Sequence, residues 1–233
     1  MAGTPSHTDR MTGSDTRIYR YVVRYDSGAA PNPFGEWCSL AICKPKIRNS
    51  ARVGDWLIGF RSRAPGQVVY VMQVQEVLTF ADFWNDRRFK PKQPERCRSS
   101  DNIYRPEGGG TYSQVPNAVH DAGNVARDLS SPNVLVSKRF WYFGATSPEL
   151  STDLIHLVHS SVGHSYKGSR EGDQLRLEEW VGAWPMGVHG TPINADMLGS
   201  SQSDPSRAQE GGSRVRCVPG GLAAPLARPR RRC

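Results

Sequence analysis

The chain has no apolar stretch long enough to span a bilayer. Its longest run, Val68 to Val74, carries Gln73 inside it and falls far short of the ~20 residues a membrane helix needs. The first residues are Ser, Thr and Asp-rich with no apolar h-region, so no secretory signal is read and a cytoplasmic location is the expectation. Five cysteines, at 38, 43, 97, 217 and 233, form no CxxC pair and no regular framework. A zinc knuckle is therefore unsupported, and reduced thiols are expected rather than disulfides. No spacing matches a P-loop, a dinucleotide fingerprint, a metalloprotease or a serine hydrolase. Motif matching alone yields no reaction, and no internal repeat is present.

What the chain does contain fits one domain. At 233 residues it can bury a sizeable core. Residues 1–16 read as a polar, disordered lead-in, residues 17–197 as the folded domain, and residues 198–233 as a disordered tail rich in Arg, Gly and Pro. The tail holds seven arginines against Asp204 and Glu210, a net of +5. Subtracted from the total of +8, it leaves residues 1–197 at +3. Contact with nucleic acid is compatible with that balance but is not established by it.

Strands are expected at 17–25, 56–60, 67–78, 133–137 and 139–143, where β-branched and aromatic residues gather. A helical turn fits 47–51. Pro65-Gly66 reads as the turn of an antiparallel hairpin. Thr79 is placed to cap a helix running to about Phe89, and Ser151 to cap one over 152–160 with Leu154, Ile155, Leu157 and Val158 as its stripe. A last helix fits 173–183 through Leu175, Leu177, Trp180 and Val181. Residues 90–132 have little periodicity. Alternation across Arg139 to Phe143 predicts one buried and one exposed set of rings. The fold class expected is α+β: a bent, mainly antiparallel sheet or partial β-barrel, with about three short flanking helices and long irregular loops.

The candidate chemistry lies in loops. Asp26-Ser27-Gly28-Ala29-Ala30-Pro31-Asn32-Pro33-Phe34-Gly35 is stiffened by proline on both sides of Asn32. With Asp101-Asn102 and Tyr104 it offers acceptors and donors for a base edge and rings for stacking. The loops starting at Asp26 and Asp101 are expected to meet, with Asp26, Asn32, Asp101 and Asn102 reading a base and Phe34 and Tyr104 stacking on it. An enzyme is the alternative, with His120, His164, Cys38 and Asp26 as candidate catalytic groups. A structural interaction module is a third reading. His120, Asp121, Asp128 and His164 have metal-ligand chemistry, but their convergence is not legible and no metal is assigned. Cys38 and Cys43 flank Leu40-Ala41-Ile42, where cysteine commonly serves as a small hydrophobe.

The ordered series Tyr25-Asp26, Ala30-Pro31-Asn32-Pro33-Phe34-Gly35, Cys43-Lys44-Pro45, Ile47-Arg48, Gly54-Asp55-Trp56, Phe83-Trp84, Asp101-Asn102-Ile103-Tyr104, Tyr142-Phe143-Gly144 and Gly163-His164 resembles the second of the nucleotide modification associated domains of bacteria and their phages. The resemblance covers about residues 18 to 192. It implies a part in making, sensing or processing modified nucleotides or DNA bases, including phage-defence settings. The ligand implied is a nucleotide or modified base; no cofactor or protein partner is assigned, and with no apolar span no membrane partner is expected. Ser100 stands where that pattern usually has glycine, and Arg127 where histidine is common before Asp128. A weaker likeness, of architecture only, is to PUA-like domains of the EVE and ASCH types.

Overall fold

The computed structural model describes residues 16–199. The expected lead-in therefore lies outside the described residues except for Thr16, as does the tail from residue 200 onward. The order of elements is β1 (Ile18–Val23), β2 (Cys38–Leu40), α1 (Pro45–Ser50), β3 (Trp56–Arg61), β4 (Val68–Gln73), β5 (Glu76–Thr79), α2 (Phe80–Asn85), β6 (Tyr104–Gly108), β7 (Thr111–Gln114), α3 (Val125–Asp128), β8 (Asn133–Ser137), β9 (Phe140–Tyr142), β10 (His164–Ser165), α4 (Asp173–Val181) and β11 (Gly187–Val188).

The class is α+β, with mostly antiparallel pairing. One six-stranded sheet runs β10-β1-β3-β4-β9-β11, a second of three strands runs β2-β8-β5, and β6-β7 form a separate hairpin. β1 and β3 are parallel, as are β9 and β11; the other pairs are antiparallel. The sheets do not close into a barrel, because β10 and β11 end the larger sheet without pairing to each other. Four α-helices and several 3₁₀ turns flank them among the described residues, more than the three expected.

Residues 67–78, expected as one strand, divide between the two sheets. The ladder of β4 ends at Gln73, and Glu76 already pairs with Val136 of β8. Between them Gln75 N–H donates to Val136 O at 3.1 Å, while Val74 N–H still bonds Asp55 O at 2.8 Å. A continuous β-favouring run is compatible with one long strand or two short ones; the switch of partners decides.

Layering follows from which side chains each strand buries. One face of the six-stranded sheet gathers Ile18, Trp56, Ile58, Val71 and Trp141 under α4 and the 152–157 turn. The other packs Tyr19, Tyr21, Leu57, Tyr70 and Tyr142 against Cys38, Leu40 and Leu135 of the small sheet. On the far side of the small sheet, Val134 and Val136 meet Phe80, Phe83, Ile103 and Tyr104. Because both faces of the large sheet are covered, Phe140, Trp141, Tyr142 and Phe143 are all buried, and the expected alternation is absent, as it is in any strand packed on two sides. Trp56 and Trp141 stack with centroids 6.3 Å apart. Gly59 makes room for the neighbouring strand: a Cβ there would lie 2.5 Å from the ring of Tyr70.

Local signals behave as expected at Thr79, whose side chain accepts from Asp82 N–H. The stripe over 152–157 is tighter than an α-helix, so Leu154 and Leu157, three apart, are buried and Ile155 is exposed. Leu175 likewise faces outward on α4 while Leu177 and Val181 are buried. Residues 90–132, expected to be irregular, contain β6, β7 and α3. Cys97 is disulfide-bonded, contrary to the reduced state expected of the cysteines; Cys38 and Cys43 are free thiols.

Candidate functional site

The loops that begin at Asp26 and Asp101 do meet, through buried hydrogen bonds. Asn32 is fully buried. Its Nδ2 donates to Ser99 O at 2.8 Å and Asp101 Oδ1 at 3.1 Å. Its Oδ1 accepts from Phe34 N–H at 3.1 Å and Lys92 Nζ at 2.9 Å. Lys92 is also buried, and its ammonium reaches Asn32 O at 3.0 Å and Phe34 O at 2.8 Å as well. Asp101 Oδ2 accepts from Ser39 Oγ at 2.6 Å; burial pushes its carboxyl up to about 6, against the nearby Lys92 charge. Asn102 Nδ2 serves Phe83 O at 2.9 Å and Phe89 O at 3.2 Å. Each group that sequence nominates to read a base edge is thus engaged inside the fold.

Asp26 is buried too, accepting from Tyr142 OH at 2.6 Å and Ile193 N–H at 3.1 Å. Burial raises its carboxyl above the ordinary range despite these bonds. Phe34 packs on Gly28, where a Cβ would fall 2.7 Å from its ring and where φ is +77°. Phe34 also borders a cavity of about 320 Å³ with Gly35, Glu36, Trp37, Arg88 and Lys92. Arg88, stacked 4.8 Å from Trp37, is already held by Glu76 and Asp86, both at 2.6 Å. Cys38 is fully buried, and burial pushes its thiol up to about 12, which makes it a poor nucleophile. His164 lies on edge strand β10, opposite Tyr21.

The fourth catalytic candidate, His120, has different company. Its Nε2 lies 3.4 Å from Cys43 Sγ and its Nδ1 2.5 Å from Asp128 Oδ2. Three loops create this line. Cys43 follows β2 at the entry to α1, where Cys43 and Lys44 both take the left-handed backbone, φ 59° and 43°. For non-glycine residues that conformation costs about 1–3 kcal/mol each unless the surroundings impose it. Here they do: Cys43 N–H donates to Asp128 Oδ1 at 3.0 Å, and Arg48 Nε to Cys43 O at 2.9 Å. Pro45, with φ preset for a helix, opens α1 directly afterwards.

Asp128 ends α3 with its side chain wholly buried, whereas that of His120 is 11% exposed. Tyr104 OH, expected to stack on a base, instead donates to Asp128 Oδ2 at 3.0 Å. Arg48, also buried, bonds the carbonyls of Ser131 at 3.2 Å, Asn133 at 2.6 Å and Asp128 at 2.5 Å. It therefore ties the Cys43 turn to the Asp128 segment. Position 127, occupied by Arg127, is exposed; the imidazole that reaches Asp128 comes from His120.

The electrostatics favour a charged imidazole. Burial opposes the charge on His120, but its bonds to Asp128 and Cys43 outweigh that and raise it to about 9. Burial likewise disfavours the Asp128 carboxylate, yet His120, Cys43 N–H and Tyr104 hold it below its ordinary range. Since the folded state binds this proton more tightly than an ordinary histidine near 6.5, the stabilisation is complete below pH 6.5. It is lost as pH rises through about 9. Urea denaturation at pH 6, 7.5 and 9 is expected to show a decline of roughly 1 to 3 kcal/mol, absent in Asp128→Asn.

Cys43, His120 and Asp128 also place ligand atoms within 4.8 Å of one another. Both Asp128 oxygens are hydrogen-bonded, Oδ1 by Cys43 N–H and Oδ2 by His120 Nδ1, so the three groups form a hydrogen-bonded line rather than an open ligand set. The arrangement matches instead a thiol, a base and a carboxylate that orients the base. Sequence reading named His120 as a catalytic candidate, Asp128 for metal-ligand chemistry and Tyr104 for stacking, and treated Cys43 as a small hydrophobe. The one local sign was its place directly before Lys44-Pro45, where the chain must turn into a helix.

Among known families, the model of the one described as nucleotide modification associated domain 2 matches residues 15–199. No curated protein and no solved structure matches the chain.

Proposed function

The chain belongs to the nucleotide modification associated domain 2 family, and we propose that it is a thiol-dependent enzyme acting on a nucleotide or modified base. Cys43 is the nucleophile, His120 its acid–base partner and Asp128 the group that orients His120. The observation that carries this reading is the Sγ–Nε2 and Nδ1–Oδ2 line, at 3.4 and 2.5 Å. The protonated His120 supplies the counter-charge a thiolate needs. Addition of that thiolate to an electrophilic carbon forms a C–S bond and moves a π-electron pair onto the neighbouring atom. That atom then takes the proton from His120 Nε2. Cys43 N–H is bonded to Asp128, so it holds the turn rather than receiving developing charge from the substrate.

A purely base-reading role for Asn32, Asp101 and Asn102 draws no support from their internal bonding. The test is alkylation by iodoacetamide, followed by peptide mass spectrometry under native conditions at pH 6.5. Cys43 is expected to react at least about tenfold faster than in the denatured chain, and His120→Ala to remove that advantage. Equal rates in native and denatured protein, unchanged by His120→Ala, would overturn the reading.

A further inference from the structure

Resting on the reading of Cys43 as nucleophile, we propose that the surface beside it binds a single strand of nucleic acid. The base to be processed is then presented within a strand rather than as a free nucleotide.

The mild net charge of the domain conceals a segregation. Residues 18–25, 43–51 and 154–170 together contain seven lysines and arginines, three histidines and no aspartate or glutamate. The fold brings these segments side by side. β10 pairs with β1, setting Tyr21 opposite His164 and Arg20 opposite Ser165. Lys44, the residue after Cys43, lays its ammonium 4.5 Å from the ring centre of Tyr21 and bonds Val22 O at 3.3 Å. The cationic edge of the large sheet is thereby continuous with the nucleophile turn. Arg24, Lys46, Lys167 and Arg170 are exposed.

The charges along this edge face one another. Burial, then Lys44, Lys46 and His159, hold His164 below the ordinary histidine value. Burial, then Arg20 and Lys44, do the same to His159. Asp173, the acid that reaches this region, is occupied by His156 at 2.7 Å, Arg176 at 3.3 Å and the Arg170 N–H at 2.6 Å. Arg20 is buried; its Nη2 donates to Ser165 Oγ at 3.3 Å and to Lys167 O, and its Nε–H has no acceptor among the described residues. Among the described residues the side chains of Arg24, Lys46, Lys167 and Arg170 form no ion pair with a carboxylate; like charges so gathered repel one another, and a polyanion relieves that repulsion while releasing its own counterions.

An extended ligand fits better than a single phosphate, because the cations run from Arg24 at the end of β1 to Lys167 and Arg170 beyond β10. Tyr25, next to Arg24 and 64% exposed, provides a ring on which an unpaired base can stack. Such stacking is worth about 1–3 kcal/mol per base and is not open to bases inside a duplex.

Fluorescence anisotropy with a labelled single-stranded DNA of about 12 nucleotides, between roughly 50 and 200 mM salt, tests the proposal. Arg24→Glu with Lys46→Glu is expected to weaken binding at least tenfold and to flatten the salt dependence. The milder pair Arg24→Gln with Lys46→Gln is expected to weaken it about threefold, which guards against an effect of the introduced charge alone. Nucleoside monophosphate at the same concentration should not compete, and the duplex should bind more weakly. Wild-type affinity in both paired variants, effective competition by the monophosphate, or tighter binding of the duplex would overturn the proposal. Alkylation of Cys43 is read on the wild type and His120→Ala without DNA, and anisotropy on the Arg24/Lys46 variants. Failure of the thiol reading, seen in alkylation, is thus separable from failure of the strand-binding surface, seen in anisotropy.

Discussion

Arg48→Met is expected to destabilise the protein by about 3–5 kcal/mol and to slow alkylation of Cys43 at least tenfold in the fraction that remains folded. The guanidinium is buried, and burial lowers it only to about 10, so it is charged at neutral pH. It donates to the carbonyls of Cys43, Asp128, Ser131 and Asn133 and lies 5.4 Å from the ring of Phe80. Methionine fills similar volume but leaves several buried carbonyls without donors. It also releases the turn in which Cys43 and Lys44 hold positive φ. Arg48→Lys should recover part of the stability, since one ammonium cannot reproduce a planar fork reaching four carbonyls. Urea denaturation and the native alkylation rate measure the two effects. A loss below about 1 kcal/mol with an unchanged rate would show that Arg48 does not position the nucleophile.

Lys92→Met is expected to cost a similar 3–5 kcal/mol while leaving the reactivity of Cys43 unchanged. Lys92 Nζ makes three bonds, at 3.0, 2.9 and 2.8 Å, to the loop that carries Asn32 and Phe34. Burial lowers its ammonium below the ordinary value, and the Asp101 charge opposes that shift. Removing the ammonium strands the carbonyl of Phe34, leaves that of Asn32 with Ser39 N–H alone, and takes from the buried Asp101 its nearby cation. Asp101→Asn in the same background should recover part of the loss, because the unpaired charge then disappears. A variant as stable as the wild type in urea would refute this account. The pairing with Arg48→Met matters: both residues are buried cations bonded to loop carbonyls, but Arg48 alone touches the backbone of the Cys43 turn.

The two variants also separate what the rigid Asp26–Gly35 loop does from what it resembles. Its composition suggests a ligand wall, and Phe34 does border a cavity. Its amides and carboxylates, however, spend their hydrogen bonds on joining two loops: Asn32 to Asp101, and Asp26 to Tyr142 and Ile193.

Much of this protein was readable from local pattern. The hairpin at Pro65-Gly66, the cap at Thr79, strands at 133–137 and 139–143 and the helix from Asp173 all depend on propensities acting over a few residues. The ordered family series was equally legible, because it is a property of the chain itself. Tertiary structure alone decided where residues 67–78 change sheets, why four consecutive aromatics from Phe140 to Phe143 are buried, and which of two neighbouring thiols meets a histidine. Cys38 and Cys43 are five positions apart, yet the packing of the two sheets seals the first, while the strained turn carries the second to His120 and Asp128, 77 and 85 residues away. Periodicity reports the environment along one element. Convergence across such separations depends on how the layers stack and on which polar groups find partners when they do.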